Sequence, residues 1–344
     1  MRTTVSTRLR RAVSRWAPPL AAALLALSPI TASAAGRCAG NNMLDELRVI
    51  APDLASRVAA EAASTINAGA VLWKIERGGI APSYLLGTIH LTDERVTAFS
   101  PRLTQALDEV GTVALEVADV SAEATQAAMA KSGNLTLLGA GQSLDKLLAP
   151  AEFQTLTVAM ARAGVPEPAA RMFRPWVATL IMSVSDCERR KVNSGEPVLD
   201  ARIAEVARRS GKRIVGLETI ESQLAALSSI PESEQLQMLR VNIAYAHRTD
   251  DQMETLLQLY TSRNIAAAWP AQVAFAERVG IGREAFTAFE KSVVTERNET
   301  MTARALPLLA KGRTLIAVGA LHLPGARGIV NLLRQAGYTL TPLE

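Results

Sequence analysis

Tyr84-Leu85-Leu86-Gly87-Thr88-Ile89-His90 and Thr314-Leu315-Ile316-Ala317-Val318-Gly319-Ala320-Leu321-His322 are two apolar runs of strand length that end in the same Gly-x-x-His pattern. A continuous apolar run without alternation predicts a strand buried on both faces, the kind found in parallel sheets covered by helices. The residues after each run agree with that reading. Ser100-Pro101 supplies an N-cap and first-turn proline for a helix to Val110, Gly111 closes it, and Val113-Ala114-Leu115-Glu116-Val117 reads as the next strand. After His322, a helix over about Ala326 to Ala336 is closed by Gly337 and leads to a strand from Tyr338 to Thr341. A βαβ unit is therefore expected at each end of the domain.

Between these units the apolar spacing is helical over Ala151 to Ala163, Arg174 to Lys191, Asp200 to Arg209, Glu232 to Tyr260 and Glu284 to Leu309. One strand-like run, Arg213-Ile214-Val215-Gly216-Leu217-Glu218, interrupts them. The class is α/β, with a mixed sheet core and a helical insertion over about 121–310. Residues 35–70 read as a helical arm, Asn41 to Asn67 being its helix-like part, packed on a domain spanning 71–344. Trp176 to Val184 is apolar but too short to cross a bilayer, and reads as a buried helix face.

The 344 residues carry 37 Lys+Arg against 33 Asp+Glu. Taken whole, that balance invites a nucleic-acid reading. Five of the cations, Arg2, Arg8, Arg10, Arg11 and Arg15, fall in the first 34 residues, which contain no acid. Subtracting these five from 37 leaves 32 positive against 33 negative charges, a net of −1, and the nucleic-acid reading lapses. The basic start, the apolar stretch from Leu20 to Leu27 and the small-x-small site Ala32-Ser33-Ala34 predict an export signal over 1–34 and a periplasmic or secreted protein, with no membrane span left after cleavage. In that compartment the two cysteines, Cys38 and Cys187, are expected to pair. They are too few for a zinc knuckle.

His90 and His322 sit at the carboxyl ends of their strands, where open α/β sheets bind ligands. Two imidazoles meeting there would suit a divalent metal or an acid–base pair. The plain alternative for each is a turn-capping histidine. Glu116 and Glu218 end apolar strands in the same way, and an acid so placed is costly unless it is paired, hydrogen-bonded or metal-bound. A salt bridge to Arg213 or Lys212 would also account for it. Asp93 and Asp119 come after strands in loops, where turn chemistry explains them, and His247 reads as a solvated helix residue. Arg297-Asn298 lies in an amphipathic helical segment that the residues alone do not single out. The chain holds no His-Glu-x-x-His, no Gly-x-Ser-x-Gly elbow and no phosphate loop.

Trp73-Lys74-Ile75, Ser83 to His90, Leu115-Glu116-Val117, Leu217-Glu218-Thr219 with Gln223, Arg297-Asn298 and Val318 to Gly325 together resemble the TraB/GumN family, to which the Tiki metalloproteases belong. The resemblance covers about Val71 to Glu344. It implies a fold related to erythromycin esterase and ChaN-like proteins. It also implies metal-dependent peptide hydrolysis with His90, His322 and Glu116 at the active site, then Glu218, Arg297 and Asn298. Expected from these residues is an exported hydrolase acting on a peptide or other small substrate. His90, His322, Glu116 and Glu218 are its metal-ligand set, for Mn, Co or Zn, and Glu116, His90, His322, Arg297 and Asn298 its catalytic groups. A peptide- or glycan-sequestering protein and a metal-free esterase-like hydrolase are the rival expectations.

Overall fold

The computed structural model describes residues 37–119 and 122–344; the expected export segment 1–34 lies outside the described residues. Six strands form one mixed sheet: β1 (Leu72–Arg77), β2 (Ile80–Thr88), β3 (Thr112–Val117), β4 (Arg213–Glu218), β5 (Thr314–Gly319) and β6 (Thr339–Pro342). Their spatial order is β4-β3-β5-β2-β1-β6. β4, β3, β5 and β2 run parallel, and β1 is antiparallel to both β2 and β6.

The two expected βαβ units exist as crossovers, but neither joins neighbouring strands. β5 inserts between β2 and β3, while β2 and β1 lie between β5 and β6. The consequence is functional: the two Gly-x-x-His strands become direct neighbours, with Leu85 opposite Ile316 and Thr88 opposite Gly319. β1 is an element that the sequence reading passes over. Its signal is the Gly78-Gly79 pair between two apolar segments, a hairpin turn in which Gly79 takes φ 77°.

Strands β2, β3 and β5 are buried on both faces, as unbroken apolar runs require. Along β5, Leu315 and Ala317 join one core with Leu86, Leu115, Ile203 and Phe275, while Ile316 and Val318 join a second with Leu85, Ala114, Met301 and Leu333. The arm helices Met43–Ile50 and Pro52–Ser64 contribute Leu44, Leu47 and Val58 to the first core. The Glu296–Leu309 helix covers the second. The helical insertion has a core of its own, built on Leu144, Leu156, Met160 and Leu239, to which no strand contributes. Cys38 and Cys187 form a disulfide that ties the start of the described chain to the Asp186–Asn193 helix. Among the described residues no helix is long and apolar enough to cross a membrane.

The expected helix over Glu284 to Leu309 is not one regular helix. A 3-10 turn (Arg283–Phe286) and a short α-turn lead into a π-helical turn (Glu290–Thr295), and only then does the Glu296–Leu309 helix begin. Likewise Glu232 to Tyr260 is split at the 3-10 turn Ala246–Arg248, where His247 is exposed as expected.

Candidate active site at the carboxyl ends of the parallel strands

Because β4, β3, β5 and β2 run the same way, their carboxyl ends share one edge of the sheet, and the residues closing them meet there. Glu116 is the hub. Its Oε1 accepts the Gly319 backbone N–H at 2.6 Å, and its Oε2 accepts from Arg297 Nη2 at 2.6 Å and Gln223 Nε2 at 2.9 Å. Glu218, only 3% exposed at its side chain, accepts from Arg297 Nη2 at 2.7 Å and Nε at 3.0 Å. One guanidinium thus pairs with two buried carboxylates. The partner is neither Arg213 nor Lys212, but a residue remote in sequence.

Arg297 is aimed by the turn before it. The Val293 carbonyl, within the π-helical turn, accepts Arg297 Nη1 at 3.2 Å, in keeping with the frequent use of such turns at functional sites.

Each histidine has one ring nitrogen held. His322 Nδ1 lies 2.6 Å from Asn298 Oδ1, and Asn298 Nδ2 donates to the Arg327 carbonyl at 2.9 Å. That second bond sets which way the amide points, so the imidazole proton is assigned to Nδ1. His90 Nδ1 lies 2.8 Å from Asp200 Oδ2, and Thr88 Oγ1 donates to Asp200 Oδ1 at 2.7 Å. In both rings Nε2 is the nitrogen left for chemistry.

The charge states follow from the surroundings. Burial pushes His322 down to about 4, against the pull of Glu116, so near neutral pH it is uncharged. Asp200 raises His90 to about 9, although its side chain is 66% exposed and water takes part of that effect. Burial alone would raise Glu116; the positive groups around it, His322 when charged, Arg297 and His90, with the Gly319 N–H, hold it down to about 2 instead. With His322 neutral, the Glu116 anion rests on Arg297 and the Gly319 N–H.

One consequence is chemical. His322 Nε2 and Glu116 Oε1 face each other at 3.8 Å, and with the ring proton on Nδ1 both present lone pairs. Such a pair can accept a hydrogen from a hydroxyl or a water, or coordinate a cation.

The glycines of the repeated motif have physical reasons to be glycine. A Cβ on Gly87 would come within 2.9 Å of Ala320 Cα and Leu323 Cδ2, so the two motif strands close up only without it. A Cβ on Gly319 would stand 3.2 Å from Glu116 Oε1, crowding the bond its N–H makes. The Tyr260 hydroxyl, buried under the site, donates to the Gly87 carbonyl at 2.7 Å.

The structure therefore brings together Glu116, Glu218, Arg297, Asn298 and His322, with His90 near enough for its charge to act on both Glu116 and His322. The TraB/PrgY/gumN family profile matches residues 71–342, nearly the whole of the described chain. The chain belongs to this family. It is 26% identical over 312 residues to Metalloprotease TIKI1 of Danio rerio, covering 78% of this chain and 62% of that one. With Metalloprotease TIKI2 of Xenopus tropicalis it shares 24% identity over 319 residues, covering 78% and 58%. The protein YbaP of Shigella flexneri is 22% identical over 256 residues, covering 73% of this chain and 88% of its own. The chain spans about 60% of the length of the metalloproteases it matches. No solved structure matches it.

Asp200 and Tyr260 are the site residues that sequence reading misses, and Gln223 enters it only as part of the family motif. Asp200 opens a helix (Leu199–Arg209), a position that first-turn preference for acids explains without any site. Gln223 and Tyr260 lie in amphipathic helices like many others. Nothing local marks them, because Glu116, which accepts from Gln223 at 2.9 Å, and Gly87, which accepts from Tyr260, lie in distant strands.

Among the described residues no three His, Cys, Asp or Glu side chains close into a ready metal cage. The donor set nevertheless fits one. Each imidazole has one nitrogen anchored by an oxygen, the arrangement that orients metal-binding histidines; the other carries a free lone pair on His322 and would give up its proton to an ion on His90. Glu116 Oε2 already accepts two hydrogen bonds, whereas Oε1 accepts one and keeps a lone pair toward His322. Glu218 is the poorest ligand of the four, since Arg297 engages both its oxygens and Gln223 adds a contact at 3.3 Å.

Proposed function

We propose that the protein is an exported, divalent-metal-dependent hydrolase acting on peptide bonds, its arm over 35–70 packed on a catalytic domain over 71–344. The observation that carries this reading is the facing pair of lone pairs, His322 Nε2 and Glu116 Oε1 at 3.8 Å, held at the ends of adjacent parallel strands. His90 Nε2 and His322 Nε2 would hold the ion, leaving the free lone pair of Glu116 Oε1 for proton transfer. A bound ion would lower the pKa of its water toward about 7 and polarise the scissile carbonyl. Glu116, ionised at neutral pH, is placed to take a proton through Oε1. Asn298 keeps the His322 proton on Nδ1, and Asp200 does the same for His90. Arg297 pairs with both carboxylates, and Glu218 acts by positioning Arg297 rather than as a ligand. The relatives' name, metalloprotease, and the disulfide support export and peptide hydrolysis.

The test is elemental mass spectrometry on protein purified without chelator, beside a His90→Ala/His322→Ala double variant, and then a peptide-library cleavage screen with and without chelator. Near-stoichiometric Mn, Co or Zn in the native chain, none in the variant and chelator-sensitive cleavage are expected. Cleavage that survives complete metal removal would sink metal dependence, and a peptide bound but never cut would make the chain a sequestering protein.

A further inference from the structure

Beside His322 lies a cavity of about 360 Å³, walled chiefly by Ile265, Ala266, Trp269, Val294, Leu321 and Pro324. That volume falls within the range of ligand-binding pockets, roughly 300 to 1,000 Å³, and the wall is apolar as such pockets are. We infer that this cavity receives the large apolar side chain of a peptide residue lying next to the bond held at His322 and Glu116. The placement beside a scissile bond rests on the peptidase reading of the site; the preference for an apolar group rests on the cavity alone.

Two observations join the cavity to the site, and a third describes its wall. Leu321 is 37% exposed although its neighbours Ala320 and His322 are buried, so one 3-10 turn presents a histidine to the catalytic edge and a leucine to the cavity. Val294 belongs to the same π-helical turn whose Val293 carbonyl anchors Arg297. The walls of the cavity are therefore the segments that set the site's own geometry, and a ligand filling one touches the frame of the other.

The third is the aromatic wall. Trp269 stacks on Phe289 with centroids 5.2 Å apart and meets Phe286 edge-on at 5.7 Å, which holds the indole rigid and favours another flat or branched apolar group against it. The charged residues of the lining are Glu61 and Arg327, which pair with Arg283 and Glu299, and Glu290, which makes no ion pair among the described residues.

The experiment uses acetyl-Ala-Ala-X-Ala-Ala-amide peptides, with X as Leu, Phe, Ala or Asp, titrated calorimetrically into the full chain carrying Glu116→Gln. Burying a Leu or Phe side chain should tighten binding roughly 10- to 100-fold over Ala, with Asp weakest. Ala266→Phe fills the cavity from its floor and should abolish the preference. Because Ala266 is only 6% exposed and its replacement can disturb the fold, Thr65→Trp closes the cavity from its rim as an independent variant. Equal affinity for all four peptides, or a Leu and Phe preference that survives both variants, overturns the inference. Cleavage by the unsubstituted chain is scored separately: discrimination retained without any cleavage removes the peptidase reading and leaves the apolar pocket standing.

Discussion

Replacing Arg297 by Met tests whether one guanidinium holds the centre together. Its side chain is 13% exposed, and it contacts Glu116, 13% exposed, at 2.6 Å and Glu218, 3% exposed, at 2.7 Å. Met keeps much of the apolar stem and deletes only the charge and its donors. Two carboxylates are then left buried side by side, with Gln223 Nε2 as their shared neutral donor. Removing one partner of a buried ion pair costs about 3–5 kcal/mol. Against a typical total of roughly 5–15 kcal/mol, the variant should fold but with a much lower urea midpoint, monitored by far-UV circular dichroism. Adding Glu218→Gln removes one of the stranded charges and should restore roughly 1–3 kcal/mol, making the double variant more stable than Arg297→Met alone. A loss below about 1 kcal/mol for Arg297→Met, or a double variant no more stable than the single one, would refute the claim that Arg297 balances two carboxylates.

Gly87→Ala should cost about 1–3 kcal/mol in thermal or urea unfolding, because the new methyl meets backbone at 2.9 Å; an unchanged midpoint would show that the two motif strands need not close so tightly. Cys38 and Cys187 close a loop across 149 residues, so full reduction should destabilise the chain by up to about 5 kcal/mol, and thiol counting should find no free thiol before reductant is added. Asp93 and Glu254, 7% and 11% exposed, share Arg95. Burial would raise Asp93 but its bonds to Arg95 win, and Arg95 likewise lowers Glu254, so both carboxyls sit below their ordinary range. Lowered folded-state values mean stability present above about pH 4 and lost as pH falls through the folded values; the urea midpoint should drop between about pH 5 and pH 2, and Arg95→Met should flatten that drop.

Much of the fold is legible in local sequence. β2, β3, β4 and β5 stand out as short apolar runs, and Ser100-Pro101 marks the start of the Pro101–Glu109 helix, whose Ser100 hydroxyl accepts the Leu103 N–H at 3.1 Å. The signal of β1 is equally local, but its alternation of Trp73 and Ile75 with Lys74 and Glu76 is weaker than an unbroken run. The π-helical turn at Glu290–Thr295 has no marker, since its composition suits an ordinary helix.

At the candidate site, local sequence suffices to show that Glu116 and Glu218 end buried strands and that His90 and His322 follow two of them within three residues, because burial against helices demands apolar runs and makes each polar ending conspicuous. Arg297 and Asn298 stand out only through resemblance to a family. The three-dimensional fold was needed to place β5 between β2 and β3, and with it to bring the Gly319 N–H to Glu116, Asn298 to the His322 ring and Asp200 behind His90. Strand order depends on which crossovers pack best over the whole sheet, a sum of long-range contacts that no window of sequence contains. The partners of a buried charge are set by that same order, so the charges could be recognised one by one and paired only in three dimensions.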